Sequence, residues 1–501
     1  MRYSLDTAGF LSTSTFKIVA LSPIIPLSCF KIGAIILQGP HHSAEKSTNT
    51  GLSDLIISEK LAMEFDLNSG ITKPSAIWFY PAMVKAERNL PNFVMFFNYL
   101  SMISNKQLFL LNTAQTSTTP KMLEIDYADG IYIYDKKGKS YIDMVSGFAV
   151  SNIGHRHPAV LKAIQKQLDK YLHLTVYGEY IQSPMVKFAA KLVSVLPPSL
   201  NNVYFVNSGT EATEGALKLA KRYTGRSGII SCVNAYHGST HGALSVMGNE
   251  QYKQAYRPLL PDVSFIRFGE ADDLTKITTK TACVIIETVQ GEAGIRFPTK
   301  EYMQKLRTRC TETGTLLILD EIQAAFGRTG KLFAFEHFGI VPDILLLAKA
   351  LGGGMPVGAF IADQKVMSVL AENPILGHIT TFGGHPVSCA AGLASLEVIL
   401  TDRLVEGVDD KEQLFRELLV HPAIREIRGK GLMLSLQLDT FDQVEKVSRL
   451  CSDAGVIIDW FLHCETALRI APPLIINEKE IRKVCKIILN ALDQLEAPII
   501  A

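Results

Sequence analysis

From about residue 202 to residue 362, short runs of Val, Ile and Leu alternate with helix-patterned stretches, and this alternation leaves the chain few architectures. The apolar runs are 203–206, 228–233, 283–287, 315–319, 344–348 and 357–362; helix patterns occupy 210–223 and 299–313. None of the runs has a polar face. A strand that is apolar on both sides is buried on both sides, as in a mostly parallel sheet covered by helices. The reading is therefore α/β, with ligands expected outside the carboxyl ends of the strands.

The flanks have a different texture. Residues 131–134 and 140–144 read as a hairpin around a turn at 135–138, and helices are expected at 158–172 and 183–196. After about residue 386 the pattern becomes α+β: helices at 385–400, 403–419 and 478–496, strands at 432–438, 455–459 and 467–471. The expected organisation is a large domain over 156–385 and a smaller one built from 102–155 and 386–501. Residues 1–101 show no sustained period, and order is expected to begin after Thr119. Residues 18–37 are apolar but are interrupted by Pro23, Pro26 and Lys31, whereas a spanning helix needs about 20 uninterrupted apolar residues. No membrane anchor or secretory signal is expected. Frequent Ser and Thr with few acids near the start are compatible with an organellar presequence. The preferred reading is an extension outside the fold, with Met102 or a neighbour as the functional start.

The chain has 501 residues, 47% hydrophobic and 20% charged, with a net charge of +1. That balance gives no reason to expect nucleic acid or an anionic membrane as a partner. The eight cysteines form no CxxC pair, which argues against a zinc site or a disulfide framework. Reduced core cysteines fit a cytoplasmic protein.

Chemistry-bearing residues recur at the strand ends. The run 344–348 closes on Lys349, followed by Gly352, Gly353 and Gly354. A lone lysine more often snorkels to solvent. A buried one has a depressed amine pKa and becomes a nucleophile toward an aldehyde. The strand 203–206 runs into Ser208, Gly209 and Thr210 at the start of a helix, where free N–H groups suit a phosphate or Ser208 serves as an ordinary cap. The strand 228–233 is followed by Tyr236 and His237, and 283–287 ends in Glu287 and is followed by Glu292. The strand 315–319 is followed by Asp320, Glu321 and Gln323. A buried acid needs a partner, and Lys349 is the cation expected for Asp320. One small molecule matches all of these. Pyridoxal phosphate has an aldehyde for Lys349, a ring nitrogen for Asp320, a phosphate for Gly209 and Thr210, and a ring face for Tyr236. A carboxylate beside the ring nitrogen keeps it protonated, and the protonated ring is an electron sink.

Seven motifs then resemble the class III (acetylornithine/ornithine aminotransferase-like) enzymes of the fold-type I pyridoxal-phosphate family. They are VNSGTEATEGALKLA at 206–220, AYHGST at 235–240, ETVQGEAGI at 287–295, LDEIQAAFGRTG at 319–330, PDILLLAKALGGGMPVGA at 342–359, TTFGGHP at 380–386 and LRIAPPL at 468–474. The resemblance implies a pyridoxal-phosphate-dependent aminotransferase moving an amino group from an (ω-)amino acid or amine to a 2-oxo acid. It implies that Lys349 is the Schiff-base lysine and Asp320 the pyridinium partner. Gln323 would lie near the ring hydroxyl, Ser208, Gly209 and Thr210 would cradle the phosphate, and Tyr236 would stack on the ring. Thr381 resembles the phosphate ligand that comes from a neighbouring subunit, so a homodimer with shared sites is implied. Arg469 resembles the arginine that holds the substrate α-carboxylate, and Glu292 the glutamate that covers it when an ω-amine is bound. Relatives of this fold also perform aminomutation or decarboxylation, and a non-catalytic paralogue is the other class of reading.

The chain departs from the family pattern at Ser239, where the acetylornithine and ornithine enzymes usually carry an arginine that reads a substrate carboxylate. His385, Thr288 and Ala325 replace a usual Asn, Pro and Gly.

Overall fold

The computed structural model describes residues 104–495 and one isolated antiparallel pair, Ala34–Ile35 with Ile57–Ser58. Apart from that pair, the reading of residues 1–101 as an extension lies outside the described residues. The chain divides into two units, Met1–Gln115 and Thr116–Ala501. The first contains a helix, Asn105–Asn112, ahead of the expected onset of order. Ser104 and Gln107 close its N-terminus as a reciprocal capping box. That S-x-x-Q signal was present in the sequence.

The second unit is built around a seven-stranded sheet: β1 (Asn202–Val206), β2 (Gly228–Cys232), β3 (Val263–Ile266), β4 (Thr281–Glu287), β5 (Leu316–Asp320), β6 (Ile344–Leu347) and β7 (Gly358–Ala362). Their spatial order is β1-β7-β6-β5-β4-β2-β3. All neighbours are parallel except β7, which runs antiparallel to both β6 and β1. Every residue of β4, β5, β6 and β7 is buried. Alternate side chains feed two separate cores. Val284, Ile286, Leu317, Leu319, Leu345 and Leu347 join one. Cys283, Ile285, Leu316, Ile318, Ile344 and Leu346 join the other, under helix Gly209–Thr224. This two-sided burial is the physical source of the unbroken apolar runs. The edge strand β3 was not foreseen: it has four residues, and one of them is exposed.

A third core holds the smaller lobe. Ile131, Ile142 and Met144 pack with residues of helices Val408–Leu418, Phe441–Asp453 and Glu478–Leu492. Two four-stranded sheets lie there. One has the order Glu426–Lys430, Met433–Gln437, Cys464–Ile470, Asp459–Phe461. The other joins Val456–Ile457 to the strands at 140–143, 132–135 and 125–129.

One expected boundary moves. Residue 386 was to open the small domain, but helix Pro386–Thr401 packs on helices Pro158–Leu168 and Ser183–Val193 in the large-sheet core. Eleven of its sixteen residues are buried. A helix apolar nearly all round belongs in an interior, and its lack of a polar face hid which interior that is.

Candidate active site

The parallel strands deliver their ends to a cleft of about 570 Å³. Ser208, Gly209, Thr210, Tyr236, Glu292, Asp320, Gln323 and Lys349 all line it, as does Ser239. Thr381 and Arg469 do not. Thr381 is exposed on this single chain, and Arg469 lies behind Glu292.

Lys349 follows β6 after one residue, Ala348, and has φ +51°, a left-handed conformation that costs a non-glycine residue about 1–3 kcal/mol. Burial lowers its amine pKa, against the pull of the Glu292 carboxylate. A lowered pKa favours the free amine, the nucleophilic form.

The expected Asp320–Lys349 ion pair is not the arrangement found. Asp320 Oδ2 lies 2.7 Å from His237 Nδ1, and its Oδ1 accepts from the Ile322 N–H at 3.0 Å. His237 is buried, its carbonyl accepts from Thr213 Oγ1, and its Nε2 has no partner. The histidine comes from the loop after β2, two strands away from β5, so sequence adjacency could not reveal the pair. The other strand-end acids solve the same problem through the backbone. Glu287 accepts from the N–H groups of Tyr236 and Gly291, and burial pushes its carboxyl up to about 7. Glu321 accepts from Ala334 N, Phe335 N and Thr288 Oγ1, and burial pushes it up to about 8. Thr288 also donates its N–H to the Asp320 carbonyl at 3.2 Å. The family's usual proline could make neither contact, so this departure is used by the fold.

Ser208 caps the helix Gly209–Thr224, its Oγ accepting from Glu211 N at 3.3 Å. Its hydroxyl therefore performs the ordinary capping role, while Gly209 and Thr210 open the first helical turn. Thr210 Oγ1 meets Thr240 Oγ1 at 2.7 Å, and Glu214 receives Thr240 Oγ1 and the N–H groups of Gly242 and Ala243. A Cβ on Gly209 would stand 2.9 Å from Ile322 Cδ1, so glycine keeps this turn open.

Arg469 is 1% exposed. Its Nη2 donates to both Glu292 oxygens, at 3.0 and 2.8 Å, and its guanidinium faces the Phe461 ring at 4.3 Å. Gln323 joins them, donating Nε2 to Glu292 Oε1 at 3.2 Å and accepting from Arg469 Nη1 at 3.4 Å. Glu292 Oε2 accepts a further bond from Leu462 N. Burial alone raises the Glu292 carboxyl, but the cations Arg469 and Lys349 outweigh it and hold it at about 2.

This donor set fits pyridoxal phosphate. A buried amine, a buried aspartate held by a histidine, an open helix N-terminus and an aromatic share one cleft. The comparisons agree. The family model described as aminotransferase class-III matches residues 113–492. The acetylornithine aminotransferase of Caldanaerobacter subterraneus subsp. tengcongensis is 38% identical over 406 residues, which span 79% of this chain and 100% of that one. The acetylornithine aminotransferase of Methanocaldococcus jannaschii is 39% identical over 378 residues, 73% of this chain and 91% of that one. Among solved structures, the ornithine aminotransferase from Toxoplasma gondii ME49 superposes with a TM-score of 0.72 at 27% identity, covering 81% of this chain and 98% of that one. The chain belongs to the class-III aminotransferases and is a pyridoxal-phosphate-dependent enzyme that transfers an amino group to a 2-oxo acid.

Proposed function

We propose that the enzyme takes its amino group from an ω-amino acid or amine and gives it to a 2-oxo acid, with one pocket serving both through the Glu292–Arg469 pair. That closed pair, with Gln323 bridging it, is the observation that carries the reading. With Glu292 in place, no unmasked guanidinium faces a donor that lacks a carboxylate near its amine. With Glu292 withdrawn, Arg469 holds the acceptor's α-carboxylate.

Pyridoxal phosphate supplies an electrophilic carbon and a protonated ring that withdraws electrons. Ser208, Gly209 and Thr210 would hold its phosphate, Tyr236 would cover its ring and Gln323 would lie near its ring hydroxyl. Asp320, fixed by His237, keeps the ring nitrogen protonated. Lys349 would hold the group through its Nζ. Released by substrate, its Nζ takes the proton from the amine-bearing carbon and returns it to the product. Thr381, exposed on the single chain, would hold the phosphate in a second copy, which gives a homodimer with shared sites. The absence of disulfides among the described cysteines supports a cytoplasmic setting.

A panel of ω-amino acids, diamines and α-amino acids, each with 2-oxoglutarate or pyruvate, tests the reading. Carboxylate-poor amines should be good donors, and Glu292→Gln should depress their rates more than those of α-amino acids. Equal losses for both donor classes would overturn the two-state pocket.

A further inference from the structure

The loop that carries Glu292 is held from the far side by residues outside the cleft. Its backbone carbonyl at Glu292 accepts from His463 N at 2.9 Å. Two residues on, the Gly294 carbonyl accepts from Arg428 Nε at 2.9 Å. Arg428 lies on strand Glu426–Lys430, opposite Ser435, and Ser435 lies opposite Arg469. Directly opposed residues share a sheet face. The two arginines therefore stand on one face, two strands or about 10 Å apart. The buried Ser435 stands between them. One arginine takes the Glu292 side chain, the other the backbone beyond it.

Arg428 is itself fixed. Its Nη2 donates to Gln437 Oε1 at 2.7 Å and its Nη1 to Glu426 Oε2 at 2.9 Å. The fit at Gly294 is close: φ is +82°, and a Cβ there would stand 2.7 Å from Cys464 Sγ and 2.9 Å from Arg428 Nη2. Nothing in the proposed chemistry uses Arg428, yet it grips the segment that positions the gate.

We propose that Arg428 is a positioning residue for substrate selection: by holding the Gly294 carbonyl it keeps Glu292 seated on Arg469 and so shields that guanidinium from carboxylates in the resting enzyme. This rests on the reading of Glu292 as the group that masks Arg469. Loss of the grip loosens the loop and leaves Arg469 more open.

Glutarate, a dicarboxylate with no amino or oxo group to react, is the probe. It is titrated into the resting holoenzyme and followed through the cofactor absorbance, so that affinity is read per occupied site. Arg428→Gln should tighten glutarate binding about fivefold, a modest coupling between sites. Arg428→Lys, which retains a donor, should stay near the parent value. Gly294→Ala pushes on the same contact from the other side and should also tighten binding. A purely structural role would lower melting temperature or cofactor occupancy without moving glutarate affinity. Glu292→Gln separates the two levels of the argument. If it tightens glutarate binding while Arg428→Gln and Gly294→Ala do not, the role of Arg428 is overturned. If Glu292→Gln has no effect either, the masking role of Glu292 falls and this inference falls with it.

Discussion

The two walls of the cleft handle buried charge in opposite ways. On the large-sheet wall, Asp320, Glu287 and Glu321 find partners within that lobe: a histidine, backbone N–H groups and one hydroxyl. On the small-lobe wall, Glu292 is held by Arg469, Leu462 and His463 from the turn and strands of the other lobe, with Gln323 its one partner from the large-sheet side. The first wall is fixed because its acceptors are satisfied by neighbours that no substrate can replace. In the proposed reading the second is exchangeable, a substrate carboxylate offering Arg469 what Glu292 offers. The cofactor needs constancy and the two substrates need a choice, and the partner sets divide along that line.

The largest effect should come from the fixed wall. Lys349→Ala should lower turnover by about 10²–10⁴-fold or more through loss of the proton shuttle, measured in single-turnover assays with an amine donor. On the exchangeable wall, Arg469→Met removes the paired cation of Glu292 and leaves it only Leu462 N, Gln323 Nε2 and the charge of Lys349. It should cost about 3–5 kcal/mol in denaturant unfolding and sharply weaken the 2-oxo acid. If stability is unchanged, the pair is less buried than described. His237→Leu leaves one Asp320 oxygen unpaired and should cost about 1–3 kcal/mol in denaturant unfolding, while weakening cofactor retention on dialysis. His237→Gln should restore part of both.

Acid and base limits separate the walls again. Burial holds a proton on Glu321 up to about pH 8, whereas its unfolded value is 4.5. Between those values the native state binds a proton that the unfolded chain has released, so stability falls as pH rises through that window. Glu321→Gln should flatten this slope. Glu292, held at about 2, behaves oppositely: its contribution is complete above 4.5 and is lost as pH falls toward 2. The smallest expected effect is at the mouth. Ser239→Arg adds the carboxylate reader usual in acetylornithine and ornithine enzymes and should improve use of 2-oxoglutarate; an unchanged KM would dismiss Ser239 as a determinant of acceptor choice.

The fixed wall was the more legible in sequence. Two-sided burial writes itself as apolar runs, and the parallel topology sends the ends of those runs, with Lys349 and Asp320, to one edge. His237 as the partner of Asp320 was not legible, because it depends on a loop folding back across two strands. On the other wall, Arg469 and Glu292 were found through motif resemblance. Arg428 was not, since EIRGK is a polar, glycine-containing segment with little strand signal. Its importance arises only from the cross-strand row through Ser435. Likewise, helix Pro386–Thr401 was recognised as a helix but given to the wrong lobe, because apolar residues all round it do not say which core they enter.

In the proposed mechanism Lys349 carries the cofactor at the edge of the large sheet. Borohydride reduction of the holoenzyme followed by peptide mass mapping tests it directly. The account predicts a pyridoxyl-phosphate adduct on the peptide containing Lys349 and none in Lys349→Ala protein; an adduct on another lysine, at full occupancy, would contradict it.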